Sequence, residues 1–569
     1  MKKIISALIM SLTLSAALAQ GAYANTAVIA TKASGEKESS ETGVRAGAET
    51  GILSGIEAGT ETMQSSESDE AAAEDITKNC RYLKNESSVN MTPLQNGLLS
   101  DCVAFGKGAS LSINADKKIG SLYIQFYNIP SAWTAKSGDK EISCGKNGFL
   151  HEYIDVSSLD SNSIALNFTE SADIAEIYVF SDGKVPDFVQ IWNPPCETAD
   201  LLLLVSHSDD EHLFFGGVLP YYTAIGYNVQ VAYLTNHSNY KIRTHEQLNS
   251  LWTAGVRNYP IIGKFPDLYS TELDYAYSLY REKGYTPEDF IEYEVYLLRR
   301  FKPLVVMTHA FSGEYGHGTH KICADAMSKA VFDAADPLKY TDSATEYGTW
   351  STPKLYFHLY DQNNIKLSFA DTPMKELGGK TPFYYSQQAY LCNTSQLPEP
   401  SLTKWMCGTE ANPVTLASSI RNYSPISFGL YTSTVGDDTD GAGDPFENII
   451  PYNKQAEIIL EEQKKNEELL NQIREENDRR DEQLRNLDRT DVNGNELEAL
   501  KNDYERLVEE NNQKISKIEN VTKAMYIASA VFAVIFILTL LSLILNLKAI
   551  KKAKSRRRRP IQNNDSIQK

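Results

Sequence analysis

Apolar and polar positions alternate in three different ways along this chain, and each predicts a different kind of element. Between residues 77 and 195, segments such as Ser121–Phe126, Ser163–Phe168 and Ala175–Phe180 alternate with a period of two and are split by Gly, Asn, Asp and Ser turns. That spacing predicts a small β-sandwich, because successive side chains of a strand face opposite sides. Between residues 196 and 450 the pattern changes. Leu201–Val205, Asn228–Leu234 and Leu304–Met307 are continuous apolar runs of strand length, as strands buried on both faces of a parallel sheet require. Arg243–Val256, Thr286–Phe301 and Thr319–Ala334 read as helices between them. This strand–helix alternation predicts an α/β fold with a doubly wound, mostly parallel, Rossmann-like sheet. Lys354–Tyr360 adds a candidate strand, and residues 361–451 read as loop-rich. From residue 453 to 522, Ile459, Leu470, Ile473, Leu484 and Leu487 recur at 3-4 spacing, as do Leu497, Leu500, Tyr504 and Leu507. Two coiled-coil helices parted near residues 491–495 are expected, and with them a homo-oligomer. Polar residues at core positions (Asn466, Asn477, Arg480) keep a solvated single stalk open as the alternative.

Two further apolar segments read as addresses. Residues 1–24 combine Lys2 and Lys3, an apolar run and the triplet Ala22-Tyr23-Ala24, the make-up of a secretory signal peptide. Residues 525–547 carry no charge over 23 positions, enough for one transmembrane helix. The basic tail of residues 548–569 holds about +8, against about −27 for everything before it. By the positive-inside rule that tail is cytoplasmic, which places the rest outside a cell membrane as a single-pass protein. Residues 25–76 lack aromatic residues and are rich in Ser, Thr, Gly, Ala and Glu, so they are expected to be a disordered linker. A net charge of −19 argues against a nucleic-acid partner, whose affinity rests on clustered Lys and Arg. An oxidising compartment suggests disulfides Cys80–Cys102, Cys144–Cys196 and Cys392–Cys407, with Cys323 left over, although six cysteines allow fifteen pairings. Sequons stand at Asn85, Asn90, Asn167, Asn236, Asn393, Asn422 and Asn520, among others.

Five of the nine histidines fall in two windows, residues 206–212 and 309–320. Each window begins where a buried strand ends, and in open α/β sheets the ligand crevice lies outside the carboxyl ends of the strands. In Ser206-His207-Ser208-Asp209-Asp210-Glu211-His212, one His and an Asp three residues on can share a zinc ion, while the neighbouring carboxylate points elsewhere. Gly313-Glu314-Tyr315-Gly316-His317-Gly318-Thr319-His320 offers one further ligand and one free imidazole, with Thr319 able to cap the helix after it. Two His and one Asp leave a coordination position for water, the arrangement of a catalytic zinc.

These motifs, together with Gly216-Gly217, Leu234-Thr235-Asn236, Arg243, Glu246 and Thr308-His309, resemble in order the PIG-L/LmbE-like zinc-dependent de-N-acetylases over residues 197–450. The resemblance implies His207, Asp210 and His320 as zinc ligands, Asp209 as general base, and a protonated His317 that stabilises the oxyanion or protonates the leaving amine. It also implies Arg243 as a substrate-binding residue, for which a helix-face pairing with Glu246 is the plain structural alternative. His309 and His212 are expected to support or pack. Ser208 stands where the family usually has Pro, which is expected to loosen the loop. Ile177–Gly183 resembles the last strand of discoidin-like, sugar-binding jelly rolls. The implied activity is removal of acetyl from an N-acetylglucosamine-type sugar at the cell surface. An inactive glycan-binding protein and an amidase acting on a non-sugar amide are the competing readings.

Overall fold

The structure, a computed structural model, describes residues 71–398, 400–438 and 443–487, with scattered positions between 494 and 516. The expected signal segment, the linker as far as residue 70, the expected membrane span at residues 525–547 and the basic tail lie outside the described residues. One expectation is corrected here. Among the described residues no helix is long and apolar enough to cross a membrane, so the single-pass placement is not carried further.

Ten strands between Arg81 and Phe180 form one sheet of six strands and one of four. The period-two pattern does what it predicts: in Ser163–Phe168, every second residue is buried. The two sheets meet across paired rings, Phe105 with Phe168 at 5.3 Å and Phe126 with Trp133 at 6.2 Å between centroids. Ser121–Phe126 departs from alternation and is buried at all six positions, because its second face is covered too. Its neighbour His151 pairs with His245 of the α/β part, and the Leu150 amide donates to the Tyr259 hydroxyl at 3.0 Å. The expected linker is shorter than its composition suggests, since Ile76 donates its amide to the Val179 carbonyl and is itself buried.

In the α/β part, the strands are β1 (Leu201–Val205), β2 (Val229–Tyr233), β3 (Val305–Thr308), β4 (Lys354–His358), β5 (Asn364–Lys366) and β6 (Ser427–Ser433). Their order is β2-β1-β3-β4-β6-β5, with the first four parallel. β6 runs antiparallel to both β4 and β5, so the expected parallel sheet is mixed at one side. Leu201, Leu203 and Val205 join one apolar cluster and Leu202 and Leu204 another, which is why the Leu run carries no polar position. Each such buried side chain contributes roughly 2 kcal/mol. The helices that bear on the site and its sheet are α1 (Asp210–Leu213), α2 (Val218–Ala224), α3 (Ile242–Thr253), α4 (Leu273–Glu282), α5 (Pro287–Phe301) and α6 (Gly318–Asp333).

A helix from Tyr452 to Leu487 comes next, exposed along most of its length, and among the described residues no second helix lies along it. It starts beside Asp200, whose carboxylate accepts the Tyr452 amide at 2.7 Å, at the end of the sheet opposite the histidine windows. The coiled coil and the oligomer expected from it thus gain no support. All seven cysteines are free thiols. The proposed pairs fail because the sulfurs face local partners. Cys80 Sγ contacts the Ile76 carbonyl at 3.2 Å, and Cys392 Sγ lies 3.5 Å from Thr253 Oγ1. Cys80 and Cys102 also precede strands of opposite sheets.

Candidate metal centre

At the carboxyl end of β1 the chain turns sharply. Asp209 takes a left-handed backbone, φ 101° and ψ −28°, a conformation that costs a non-glycine residue ~1–3 kcal/mol. Two groups hold it there: the Asp209 amide donates to Glu211 Oε2 at 2.9 Å, and Glu211 Oε1 accepts from the Tyr233 hydroxyl at 2.7 Å. The turn sends the two neighbouring carboxylates apart, as expected. Asp210 faces the histidines, while Asp209 lies 3.4 Å from the Arg243 guanidinium.

The second window arrives at the carboxyl end of β3. Gly313 and Gly318 are required there: a Cβ would stand 2.5 Å from the His317 carbonyl oxygen at the first and 2.1 Å from Ser270 Oγ at the second. The cap of α6 is not Thr319 but His317, whose Nδ1 accepts the Thr319 amide at 3.3 Å. That bond fixes the tautomer, leaving the His317 proton on Nε2. Burial, with His207 and His320 nearby, lowers His317 to about 3. In this tautomer the ring donates through Nε2–H.

The three implied ligands come together. His207 Nδ1, Asp210 Oδ2 and His320 Nε2 form a triangle with sides of 3.2 Å, close to the ~3.3 Å separation of ligands about 2.0–2.1 Å from a tetrahedral zinc. Overlapping groups, His207/His317/His320 and Asp210/His309/His320, also lie close enough to hold an ion. Hydrogen bonding separates these sets. His309 Nε2 already accepts the Ser206 amide at 2.9 Å, and His317 carries its proton on the nitrogen that would have to ligate. The donor set fits a metal ion: a buried carboxylate flanked by imidazoles is a costly arrangement without a cation.

Environment splits the two aspartates. Burial would raise Asp210, yet His320, His207 and His309 hold it well below the usual carboxylate range, whereas burial lifts Asp209 to about 7 despite Arg243 beside it. Neighbouring carboxylates pushed apart in this way mark different roles.

Arg243 leaves its alternative partner alone. It reaches the Ser208 carbonyl and Asp209, while Glu246 accepts from Thr394 and Ser395 instead. Ser208 is held, not loose: its amide donates to His237 Nε2 at 3.0 Å and its hydroxyl to Asn393 Oδ1 at 3.0 Å. A proline could make neither bond. His212 is fully buried, with its Nε2 3.3 Å from Glu211 Oε1. A cavity of about 180 Å³ opens beside the triangle, lined by His237, Tyr240, Arg243, Asp267 and Gln396 among others, and Asp267 Oδ1 lies 3.2 Å from His207 Nε2.

Sequence reasoning missed Asp267, His237, Asn393, Glu314 and His358 as site residues. His358 carried a usable signal, since it ends the buried strand β4 just as the two histidine windows come after the ends of β1 and β3. Asp267 and Asn393 lie in irregular segments and carried none.

Residues 202–331 match the family model described as PIG-L, GlcNAc-PI de-N-acetylase. A 1D-myo-inositol 2-acetamido-2-deoxy-alpha-D-glucopyranoside deacetylase of Rhodococcus erythropolis is 25% identical over 30% of this chain and 64% of its own length. A second deacetylase of the same description, from Frankia casuarinae, is 39% identical over 12% of this chain and 22% of its own length. The chain thus spans less than two thirds of the length of either relative. Among solved structures, N,N'-diacetylchitobiose deacetylase of Pyrococcus horikoshii covers 36% of this chain at 17% identity and a TM-score of 0.27, with 74% of that chain covered.

Proposed function

Taking as premise that residues 202–331 carry a PIG-L domain of the PIG-L/LmbE de-N-acetylases, we propose that the protein is a zinc-dependent hydrolase that removes acetyl from an N-acetylglucosamine-type sugar, yielding acetate and a free amine. The observation that carries this reading is the 3.2 Å triangle of His207, Asp210 and His320 with a second, differently tuned carboxylate at its side. On this reading residues 196–450 form the enzyme, and the sandwich braces α3, the helix that carries Arg243 and His245.

When bound there, zinc supplies Lewis-acid polarisation and makes a water acidic near neutral pH. Asp209 would accept the proton of the attacking water as its oxygen adds to the acetamide carbonyl. A carboxyl tuned to about 7 is matched to giving this proton up again. His317 Nε2–H donates a hydrogen bond to the oxygen on which charge develops, and the C–N bond breaks as the nitrogen takes the proton from Asp209. Arg243 keeps Asp209 in place and closes one wall of the cavity. The activity test is acetate release from N-acetylglucosamine oligosaccharides, run alongside the metal content of the purified protein. Bound zinc with no acetate from any N-acetylated sugar would turn the reading toward a non-sugar amide, and absence of zinc would end it.

A further inference from the structure

Beneath the triangle lies a carboxylate that the deacetylation steps do not use. Glu314 is fully buried and meets four groups: His309 Nδ1 at 2.7 Å and His320 Nδ1 at 2.8 Å on Oε2, and His358 Nδ1 at 2.6 Å and the Ala310 amide at 3.1 Å on Oε1. What each ring meets on its far side fixes where its protons are. His320 presents Nε2 to the triangle, so its proton lies on Nδ1. His309 Nε2 accepts the Ser206 amide, so its proton lies on Nδ1 as well. His358 differs. Its Nε2 lies 2.9 Å from the Ser424 carbonyl oxygen, which can only accept, so Nε2 carries a proton while a second hydrogen stands between Nδ1 and Glu314. One hydrogen therefore lies between Glu314 and each of the three rings. Phe214, Phe215 and Phe428 surround the His358 ring, with centroids at 6.0, 5.8 and 5.3 Å, and keep water from screening the pair.

We propose that Glu314 and His358 act as one positioning unit, a buried carboxyl–imidazole pair that aims His320 at the ion and, through His309, fixes the Ser206–His207 turn. The proposal rests on the zinc-hydrolase reading of the site. It also extends the site to β4, outside the matched residues 202–331. A carboxylate behind a ligating imidazole sets its tautomer and orientation, and losing such support weakens metal binding about 10–100-fold.

The test uses the full chain and zinc itself. Competition with a chromophoric chelator should show zinc dissociation constants raised about 10–100-fold in Glu314→Gln and about 10-fold in His358→Gln. The visible spectrum of the cobalt-substituted protein should shift in both, while KM for the sugar at saturating zinc stays within about twofold of wild type. The double variant should bind zinc no more weakly than Glu314→Gln alone, because removing either member of a unit already breaks it. If Glu314→Gln does not fold, His358→Gln, which touches no ligand, decides alone. A lowered melting temperature with unchanged zinc affinity and cobalt spectrum would overturn the proposal, as would additive losses in the double variant. Wild-type protein that binds zinc but deacetylates nothing would end the activity reading and leave this one standing.

Discussion

Buried histidines are gathered at two places in this molecule, and the two gatherings behave in opposite ways. At the metal centre, His207, His309, His320 and His358 each face an acid: Asp210, Asp267 or Glu314. There Asp210 and Asp267 offset burial and push His207 upward. At the joint between the sandwich and α3, His151 and His245 stack at 5.1 Å and share a 2.8 Å hydrogen bond. His151 Nδ1 also meets Gln190 Oε1 at 2.8 Å. With no acid there, burial wins, lowering His151 to about 4 and His245 to about 2. The residue type and the depth are shared. Acids face four of the imidazoles at the centre, whereas the pair that joins the sandwich to α3 meets none.

The sharpest way to break this comparison is to remove the acid at the centre. Asp210→Ala should abolish stoichiometric zinc in metal analysis and with it essentially all turnover. Retained zinc and activity would show that the ligand set is wrong. Asp209→Asn should keep zinc yet lower kcat by roughly 10²–10⁴-fold, the usual worth of a positioned general base. At the joint, a histidine of the unfolded chain takes up a proton below about 6.5, whereas folded His151 refuses it down to about 4. Stability is therefore fully present above pH 6.5 and is lost as the pH falls from there toward 4, by about 3 kcal/mol for this one group. Melting temperatures recorded between pH 7 and 4 should fall less steeply in His151→Gln than in wild type. Ser208→Pro removes both the donor to His237 and the hydroxyl on Asn393. It should cost about 1–3 kcal/mol in denaturant unfolding without raising turnover. The smallest effect is expected from Arg243→Gln. Since Arg243 holds Asp209 down, the acid limb of the kcat/KM profile should move to higher pH.

Legibility in the sequence depended on how local each cause was. Leu201–Val205 announces itself because burial on both faces leaves no room for a polar side chain, and the two histidine windows were visible because ligands must stand where strands end. Strand β6 was hidden: Gly429 interrupts its apolar pattern, yet a Cβ there would lie 2.3 Å from the Tyr360 carbonyl oxygen, so the break in pattern is what lets the strand pair. Glu314 was visible within its motif, but its reach to three imidazoles depends on β3, β4 and α6 meeting, which no spacing reports. The disulfide pairs rested on an expected compartment and not on any contact, and the free thiols show how little that inference constrained. His317 caps α6 through Nδ1, which its motif does not report, because the cap depends on how the backbone turns into the helix.

Asn393 gives the fold a practical consequence. By sequence, Asn393-Thr394-Ser395 is an acceptor for N-linked sugar, yet the Asn393 side chain is fully enclosed, taking the Ser208 hydroxyl on its oxygen and giving its amide to the Tyr390 carbonyl. An oligosaccharide attached there during synthesis could not be accommodated once the wall closes over the His207 turn. Recombinant production in a glycosylating expression system should therefore yield trapped, metal-poor material, and Asn393→Gln should not rescue it, because the longer amide would lose the Ser208 contact as well.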